Sequence, residues 1–300
     1  MQKGIAETNL WATVAWVPIV VLPATVLLWP LGEPRWAVMW LLALAIYAGA
    51  KCLTLVNAVQ NMPYASGKRI LGYLLAWPGL DAVAFLDAAV RPIPQPRGRE
   101  WACAVVKTAL GALLFWGVAR FLPDEMRLAQ GWLGMVGLVF LLHFGVFHLL
   151  SCAWRSAGIR AARLMNAPIL AGSVADFWGR RWNTAFRDLM HRFIFRPLSA
   201  RIGPRVAILF GFLVSGAVHD LVISVPAHGG HGLPTAFFLI QAIALLFERS
   251  SLGRRLGLMD GLRGRLFTMA VLLVPVGWLF HPPFVRNVIL PFMAFSGALA

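Results

Sequence analysis

Eight apolar runs long enough to cross a bilayer set the limits on this chain, at about 10–31, 36–57, 101–122, 132–154, 205–225, 233–248, 266–281 and 284–300. A crossing takes roughly 20 residues. Inside lipid the backbone must satisfy its own polar groups, so such runs fold as helices. The loops between them are of two kinds. Basic loops hold Lys68 and Arg69, Arg91, Arg97 and Arg99, Arg155, Arg160 and Arg163, Arg180 to Arg205, and Arg249 to Arg265. Uncharged or mixed loops hold Gly32 to Arg35, Pro123 to Gln130, Ala227 to Gly232, and Pro282 to Asn287. The two kinds alternate. Basic loops stay on the cytoplasmic side, which puts both termini there. The expected fold is all-α: a polytopic transmembrane helix bundle of about eight spans.

Only 13% of the residues are charged, about half the share found in soluble domains. One integral-membrane domain over residues 1–300 is therefore expected, with no separate soluble part. The net charge of +15 is explained by the basic loops, with a minor share left for an anionic ligand and no case for nucleic acid. The apolar N-terminal run after Lys3 lacks a small-residue cleavage site and reads as a retained first span. The expected setting is a multi-pass protein of a bacterial inner membrane, in contact with membrane lipids; the sequence leaves the oligomeric state open, a homo-oligomer included.

Two segments break the pattern. Residues 70–89 are apolar, yet both flanks are basic, and Trp77-Pro78-Gly79 and Asp81 interrupt them. This predicts a re-entrant or broken helix, tolerated only where it is buried in protein or lines a cavity. Residues 173–197 place Val174, Phe177, Trp178, Trp182, Ala185, Phe186, Leu189, Met190 and Phe193 at helical spacing. Ser173 with Asp176 has the form of a helix start, and Pro197 is expected to end the pattern. An amphipathic helix at the cytoplasmic interface is the expectation; anchoring a loop would explain it equally well.

The span 206–225 carries His219 and Asp220. Ionisable groups are costly in the bilayer core and mark functional sites there. Gly211, Ser215 and His219 recur every four residues and share one face, flanked by Gly216. Small residues beside an imidazole either let a neighbouring helix pack closely or leave room for a ligand. Imidazole suits general-base work near neutral pH. Asn183 is a second candidate, because an amide offers both a donor and an acceptor. His143 and His148 at i, i+5 do not make an ordinary metal pair; His228 and His231 could bind metal but read better as an outer loop; His191 and His281 are given no role, and no metal site is expected.

The string Phe177-Trp178-Gly179-Arg180-Arg181-Trp182-Asn183, followed by a span with Ser215-Gly216-Ala217-Val218-His219-Asp220, resembles the wax synthase branch of the membrane-bound O-acyltransferases. The stretch LLAWPGLDAVAF at 74–85 is similar to that branch as well. Asp220 stands where the plant enzymes usually carry Glu. The resemblance implies transfer of a fatty acyl group from acyl-CoA, a co-substrate with no further cofactor, to the hydroxyl of a lipid alcohol, giving a wax-type ester. It assigns His219 and Asn183 as catalytic residues. Asp220, Ser215 and Trp182 would support them, and Arg180 and Arg181 at the cytoplasmic entrance would hold the CoA phosphates. His219 lies about 13 residues below Val206, roughly 20 Å deep at about 1.5 Å per residue. A proton-coupled transporter with His219 and Asp220 as relay is the competing expectation, and a non-catalytic lipid-binding scaffold a third.

Overall fold

The computed structural model describes residues 14–29, 32–60, 65–87 and 93–299. Lys3 and Arg91, and with them the reading of the N-terminus as a retained span, lie outside these residues. The described chain is helical throughout and has no β-strand. Helices α1 (Val17–Leu28) and α2 (Arg35–Val59) pack along each other; α3 (Gly67–Ala76) and the short α4 (Ala82–Leu86) follow. Then come α5 (Gly98–Phe121) and α6 (Asp124–Ser156), α7 (174–181), α8 (184–202), α9 (Pro204–Ala227) and α10 (Leu233–Glu248). The short α11 (Ser251–Arg255), α12 (Gly261–Leu279) and α13 (282–295) complete the order.

Five of these helices are long and apolar enough to cross a membrane: α2, α5, α6, α9 and α12. α1 and α10 are apolar but shorter, at 12 and 16 residues. The architecture is thus the expected all-α membrane bundle; among the described residues five helices reach full crossing length, fewer than the expected eight. The difference lies in α1, α10 and α13, whose described helical residues are fewer than a full crossing needs. Pro23 sits inside α1, and α13 is a run of three short pieces with Pro282, Pro283 and Pro291.

The broken helix at 67–86 forms as expected, and its break has a specific clasp. α3 ends at Ala76, and Trp77 is extended. Such an end leaves backbone carbonyls without helical partners. Lys51, only 2% exposed in α2, donates from Nζ to the carbonyls of Tyr73 (2.8 Å), Trp77 (2.6 Å) and Gly79 (2.6 Å). Tyr47 Oη donates to Trp77 O at 2.8 Å and Trp154 Nε1 to Ala76 O at 2.9 Å. The ammonium also lies 3.6 Å from the Tyr73 ring centroid. All three of its protons are used, which is how a lysine is tolerated in a span.

The amphipathic segment is helical but in two pieces. Ser173 caps α7, its side chain accepting from Asp176 N at 3.0 Å. Trp182 is extended and Asn183 left-handed (φ 40°), which splits α7 from α8. α8 runs through Pro197 to Ile202 instead of ending at the proline. A wide π-type turn over His191–Phe195 precedes Pro197. Such a turn relaxes the normal ladder where the proline has no N–H to give.

Candidate active site

α9 and α10 pack closely along their length. Gly216 is one reason: a Cβ there would lie 2.6 Å from Thr235 Cα. Gly211, two turns earlier on the face of His219, has nothing within 4 Å of such a Cβ. The two readings of the small-residue face therefore divide. Gly216 serves close packing, and Gly211, two turns away from the imidazole, has no neighbour pressed against it.

His219 Nδ1 lies 2.7 Å from Ser215 O. A carbonyl only accepts, so Nδ1 carries the proton and Nε2 presents a lone pair. The ring packs on Phe238, with centroids 4.4 Å apart. Ser215 acts through this carbonyl, while its hydroxyl donates to Gly211 O at 3.0 Å.

Asp220 is bound to other groups. Its carboxylate accepts from Gly232 N (2.8 Å), Ser224 Oγ (2.9 Å), Thr235 N (3.0 Å) and Thr235 Oγ1. Gly232 and Thr235 flank the start of α10, where backbone N–H groups lack helical partners, and Ser224 lies one turn on in α9. No hydrogen bond joins Asp220 to His219 among the described residues. Ser224 Oγ also meets Nε2 of the fully buried His281 at 3.1 Å, and His281 Nδ1 accepts from Phe284 N at 3.2 Å. Asp220 thus ties α9 to α10 and, through Ser224, to α13.

The other end of α10 performs the matching task. Glu248, fully buried, accepts from Val174 N at 2.7 Å and Ala175 N at 2.8 Å, capping the start of α7. Midway, Gln241 Oε1 accepts from Trp178 Nε1 at 3.4 Å, and Trp178 packs on Phe238 at 5.5 Å. α10 therefore holds both motifs, one by each end and both by its middle. The Phe-Trp string is set among the spans: Phe177 and Trp178 pack with Leu272 and Met269 of α12, and Trp182 stacks on His143 of α6.

Asn183 sits at the break. Its left-handed backbone suits Asn better than most side chains, and its Oδ1 accepts from Phe186 N at 3.3 Å, capping α8. Its backbone is held by pairing across the loop: Asn166 N to Arg181 O at 2.8 Å and Thr184 N to Leu164 O at 3.0 Å. Nδ2 has no partner among the described residues, and no hydrogen bond joins Asn183 to His219. The two are linked through the aromatic string instead. Trp182 lies parallel to Phe177, centroids 5.7 Å apart.

Both arginines proposed for CoA are held by Asp176: Arg180 Nε at 2.9 Å and Arg181 Nε at 2.6 Å. They are not equivalent. Arg181 also donates to the carbonyls of Ala167 (3.2 Å) and Asn166 (3.4 Å), and 24% of its side chain is exposed. The Arg180 side chain is 76% exposed. Burial works against the Asp176 charge, but the hydrogen bond from Arg181 and that from Gly172 N–H outweigh it and hold the carboxyl below its usual range.

Among the described residues one group has metal-ligand spacing: Glu100, His148 and Cys152, with ligand atoms within 4.8 Å of one another. Arg155 pairs with the same carboxylate oxygen that His148 Nε2 meets at 3.1 Å, and Arg163 lies 3.6 Å away. The arginines match the carboxylate charge that a cation would need, so the donor set fits an ion-pair cluster better than a metal.

Sequence reasoning missed Lys51, Glu248, Gln241 and Phe238. Lys51 and Glu248 carried a signal, an ionisable residue within or at the end of an apolar run. Gln241 and Phe238 carried none.

Residues 161–240 match the family model described as "Membrane bound O-acyl transferase family". This range takes in both α7 with its aromatic string and α9 with His219. A probable long-chain-alcohol O-fatty-acyltransferase 3 of Arabidopsis thaliana is 32% identical over 134 residues, 39% of this chain and 38% of the relative. The probable long-chain-alcohol O-fatty-acyltransferase 9 of that plant is 29% identical over 182 residues, 56% and 52% of the two chains. The long-chain-alcohol O-fatty-acyltransferase of Simmondsia chinensis is 29% identical over 134 residues, 41% and 38%. The alignments thus span between 38% and 52% of these relatives. An integral membrane protein similar to the wax synthase-like branch of the membrane-bound O-acyltransferases is what sequence, fold and comparisons together describe.

Proposed function

We propose that this chain transfers a fatty acyl group from acyl-CoA to the hydroxyl of a long-chain alcohol, with His219 as general base. One observation carries the reading: the Nδ1 contact to Ser215 O orients the imidazole and leaves Nε2 as the basic nitrogen of the neutral ring. In the step proposed, Nε2 takes the hydroxyl proton as the alcohol oxygen attacks the thioester carbonyl carbon. The Ser215 carbonyl, facing Nδ1–H, favours the imidazolium that forms. The tetrahedral intermediate then expels the CoA sulfur, which takes the proton back from His219. Ester and free CoA leave, and the base is restored. Asn183 Nδ2 is free to orient a substrate oxygen. Arg180, with most of its guanidinium exposed, is the phosphate contact; Arg181 positions the loop.

Basic loops on the cytoplasmic face bring acyl-CoA in from that side, and the alcohol enters from the bilayer. The quoted relatives are plant proteins and lend no support to a bacterial inner membrane. A proton relay through His219 and Asp220 is disfavoured because the carboxylate is committed to four other donors.

The test is an assay of membranes containing the protein with labelled acyl-CoA and a panel of long-chain alcohols, sterols and diacylglycerol, read by mass spectrometry. Labelled wax-type ester is expected. Absence of ester with every acceptor, or ester only with diacylglycerol or a sterol, contradicts the proposal as written.

A further inference from the structure

Phe238 rests directly on the His219 imidazole, and the reaction proposed above gives it no task. It lies midway along α10 and is buried. The centroids of the two rings are 4.4 Å apart, with 42° between their planes. Aromatic pairs, edge-on approaches included, usually keep their centroids about 4.5–7 Å apart. A pair this close overlaps in part, so the imidazole lies against the phenyl face and not at its rim. Phe238 is itself clamped. Trp178 of the aromatic string is 5.5 Å away, Phe237 is 5.3 Å away and edge-on, and Phe212, two turns before His219 on α9, is 6.5 Å away. Trp178 is anchored in turn by its indole N–H to Gln241, whose amide donates to Val271 O of α12 at 2.9 Å. Contacts from α7, α9 and α12 thus fix where this ring stands.

What the imidazole becomes during the reaction gives the contact its meaning. General-base work turns a neutral ring into a cation within an apolar bundle, where charge is costly. Nδ1–H has the Ser215 carbonyl. Asp220, the next residue on α9, has its carboxylate bound to four other donors, and no hydrogen bond joins it to the ring among the described residues. The face of the imidazole remains, and Phe238 covers it. A phenyl face carries negative potential and attracts a cation within about 6 Å of its centroid.

We propose that Phe238 is a positioning residue for acyl transfer: its ring face holds the His219 imidazole in place and stabilises the imidazolium that forms when Nε2 takes the hydroxyl proton. This rests on the acyl-transfer reading above. The proton moves from the hydroxyl to Nε2 and from Nε2 to the CoA sulfur. The phenyl ring neither gives nor takes one. Its contact is stronger to the cation than to the neutral ring, so it acts on kcat and not on substrate binding. Trp178 and Gln241 serve the same end by holding Phe238 against the imidazole, which gives the aromatic string a direct tie to the chemistry on α9.

Fluorination of the Phe238 ring tests this, because fluorine drains the negative face while ring size and shape stay nearly the same. The series is the full chain, purified in detergent, with mono-, di- and trifluorophenylalanine in place of Phe238. A desolvated contact of this kind corresponds to about 5- to 30-fold in rate. The kcat for ester formation should fall with each added fluorine and reach that loss in the trifluoro protein, with KM for acyl-CoA within about threefold and melting within about 2 °C. A kcat that stays flat across the series overturns the proposal, since the ring then serves packing alone. A second readout needs no turnover: nitrogen NMR of isotope-labelled His219 in the substrate-free protein, titrated with acid. The trifluoro protein should need a proton concentration about 5- to 30-fold higher than wild type to protonate His219. Asp220, the charged side chain beside His219 on α9, is the same in every variant, so its influence cancels in this comparison. Coincident titrations overturn the proposal. If wild type forms no ester but the titrations separate, acyl transfer fails while the Phe238 contact stands. If ester forms and the titrations coincide, the role of Phe238 falls and acyl transfer stands.

Discussion

Replacing Asp220 separates a carboxylate that holds helices together from one that takes part in chemistry. Asp220→Ala removes the acceptor for Gly232 N, Thr235 N, Thr235 Oγ1 and Ser224 Oγ. Gly232 lies at the surface and Ser224 has a second acceptor in Gly230 O at 3.3 Å, so those groups recover partners. Thr235 N–H, half-buried against α9, does not. Hydrogen bonds to a charged group contribute about 1.5–3 kcal/mol each, and a donor left buried costs about 1–3 kcal/mol. Burial of the carboxylate itself offsets part of this, which leaves a net loss of about 2–4 kcal/mol. At roughly 2–4 °C per kcal/mol for a chain of this size, the melting temperature should drop by about 5–15 °C. Asp220→Asn keeps one acceptor oxygen but turns an NH₂ toward one set of donors, so about half the loss is expected. The assay is thermal unfolding of purified protein in detergent, beside ester formation at a temperature where both variants are folded. An Asp220→Ala protein that melts with wild type refutes the clamp. An Asp220→Asn protein that melts normally but forms no ester would place the carboxylate in the reaction.

Three further outcomes follow from the same contacts. Glu248→Gln leaves one of the two donors at the start of α7, Val174 N or Ala175 N, facing an amide NH₂; a loss of about 2–3 kcal/mol is expected in thermal unfolding, with faster proteolysis in 159–183. Gly211→Ala adds a Cβ that meets no atom within 4 Å, so melting should change by about 2 °C or less, while ester formation should fall at least about tenfold if substrate lies against that face. Asp176 has a folded pKa below its unfolded value of about 3.9, so its stabilisation is complete above that unfolded value and is lost as the pH falls through the lower folded one. The stability difference between wild type and Asp176→Asn should therefore be constant from about pH 8 to 5 and shrink only below about pH 4.

The bundle and the position of its central imidazole were legible in the sequence because both depend on short-range rules. Long apolar runs mark helices, and an ionisable residue within one stands out. The break at Trp77-Pro78-Gly79 was legible for the same reason, since proline and glycine disrupt a helix locally. Its clasp was not, because Lys51 reaches the break from another helix, 22 to 28 residues away. The partners of the Phe-Trp string were not legible. Its helical spacing matches a helix on the interface, but the partners that draw it among the spans are Phe238, Leu272 and His143, and no periodicity within 173–197 encodes them. The same holds for Asp220, which beside His219 looks like its partner. One residue around a helix is a turn of about 100°, and that is enough to face it toward α10 instead.

The central claim is that Nε2 of His219 takes the proton from the attacking alcohol. The direct measurement is single-turnover ester formation from labelled acyl-CoA and a long-chain alcohol by purified wild type and His219→Ala, with the fold of each checked by thermal unfolding. The account predicts a normally folded variant that binds acyl-CoA and forms ester at least about 100-fold more slowly, the lower range for removal of a general base. A folded His219→Ala protein that forms ester at the wild-type rate would contradict it.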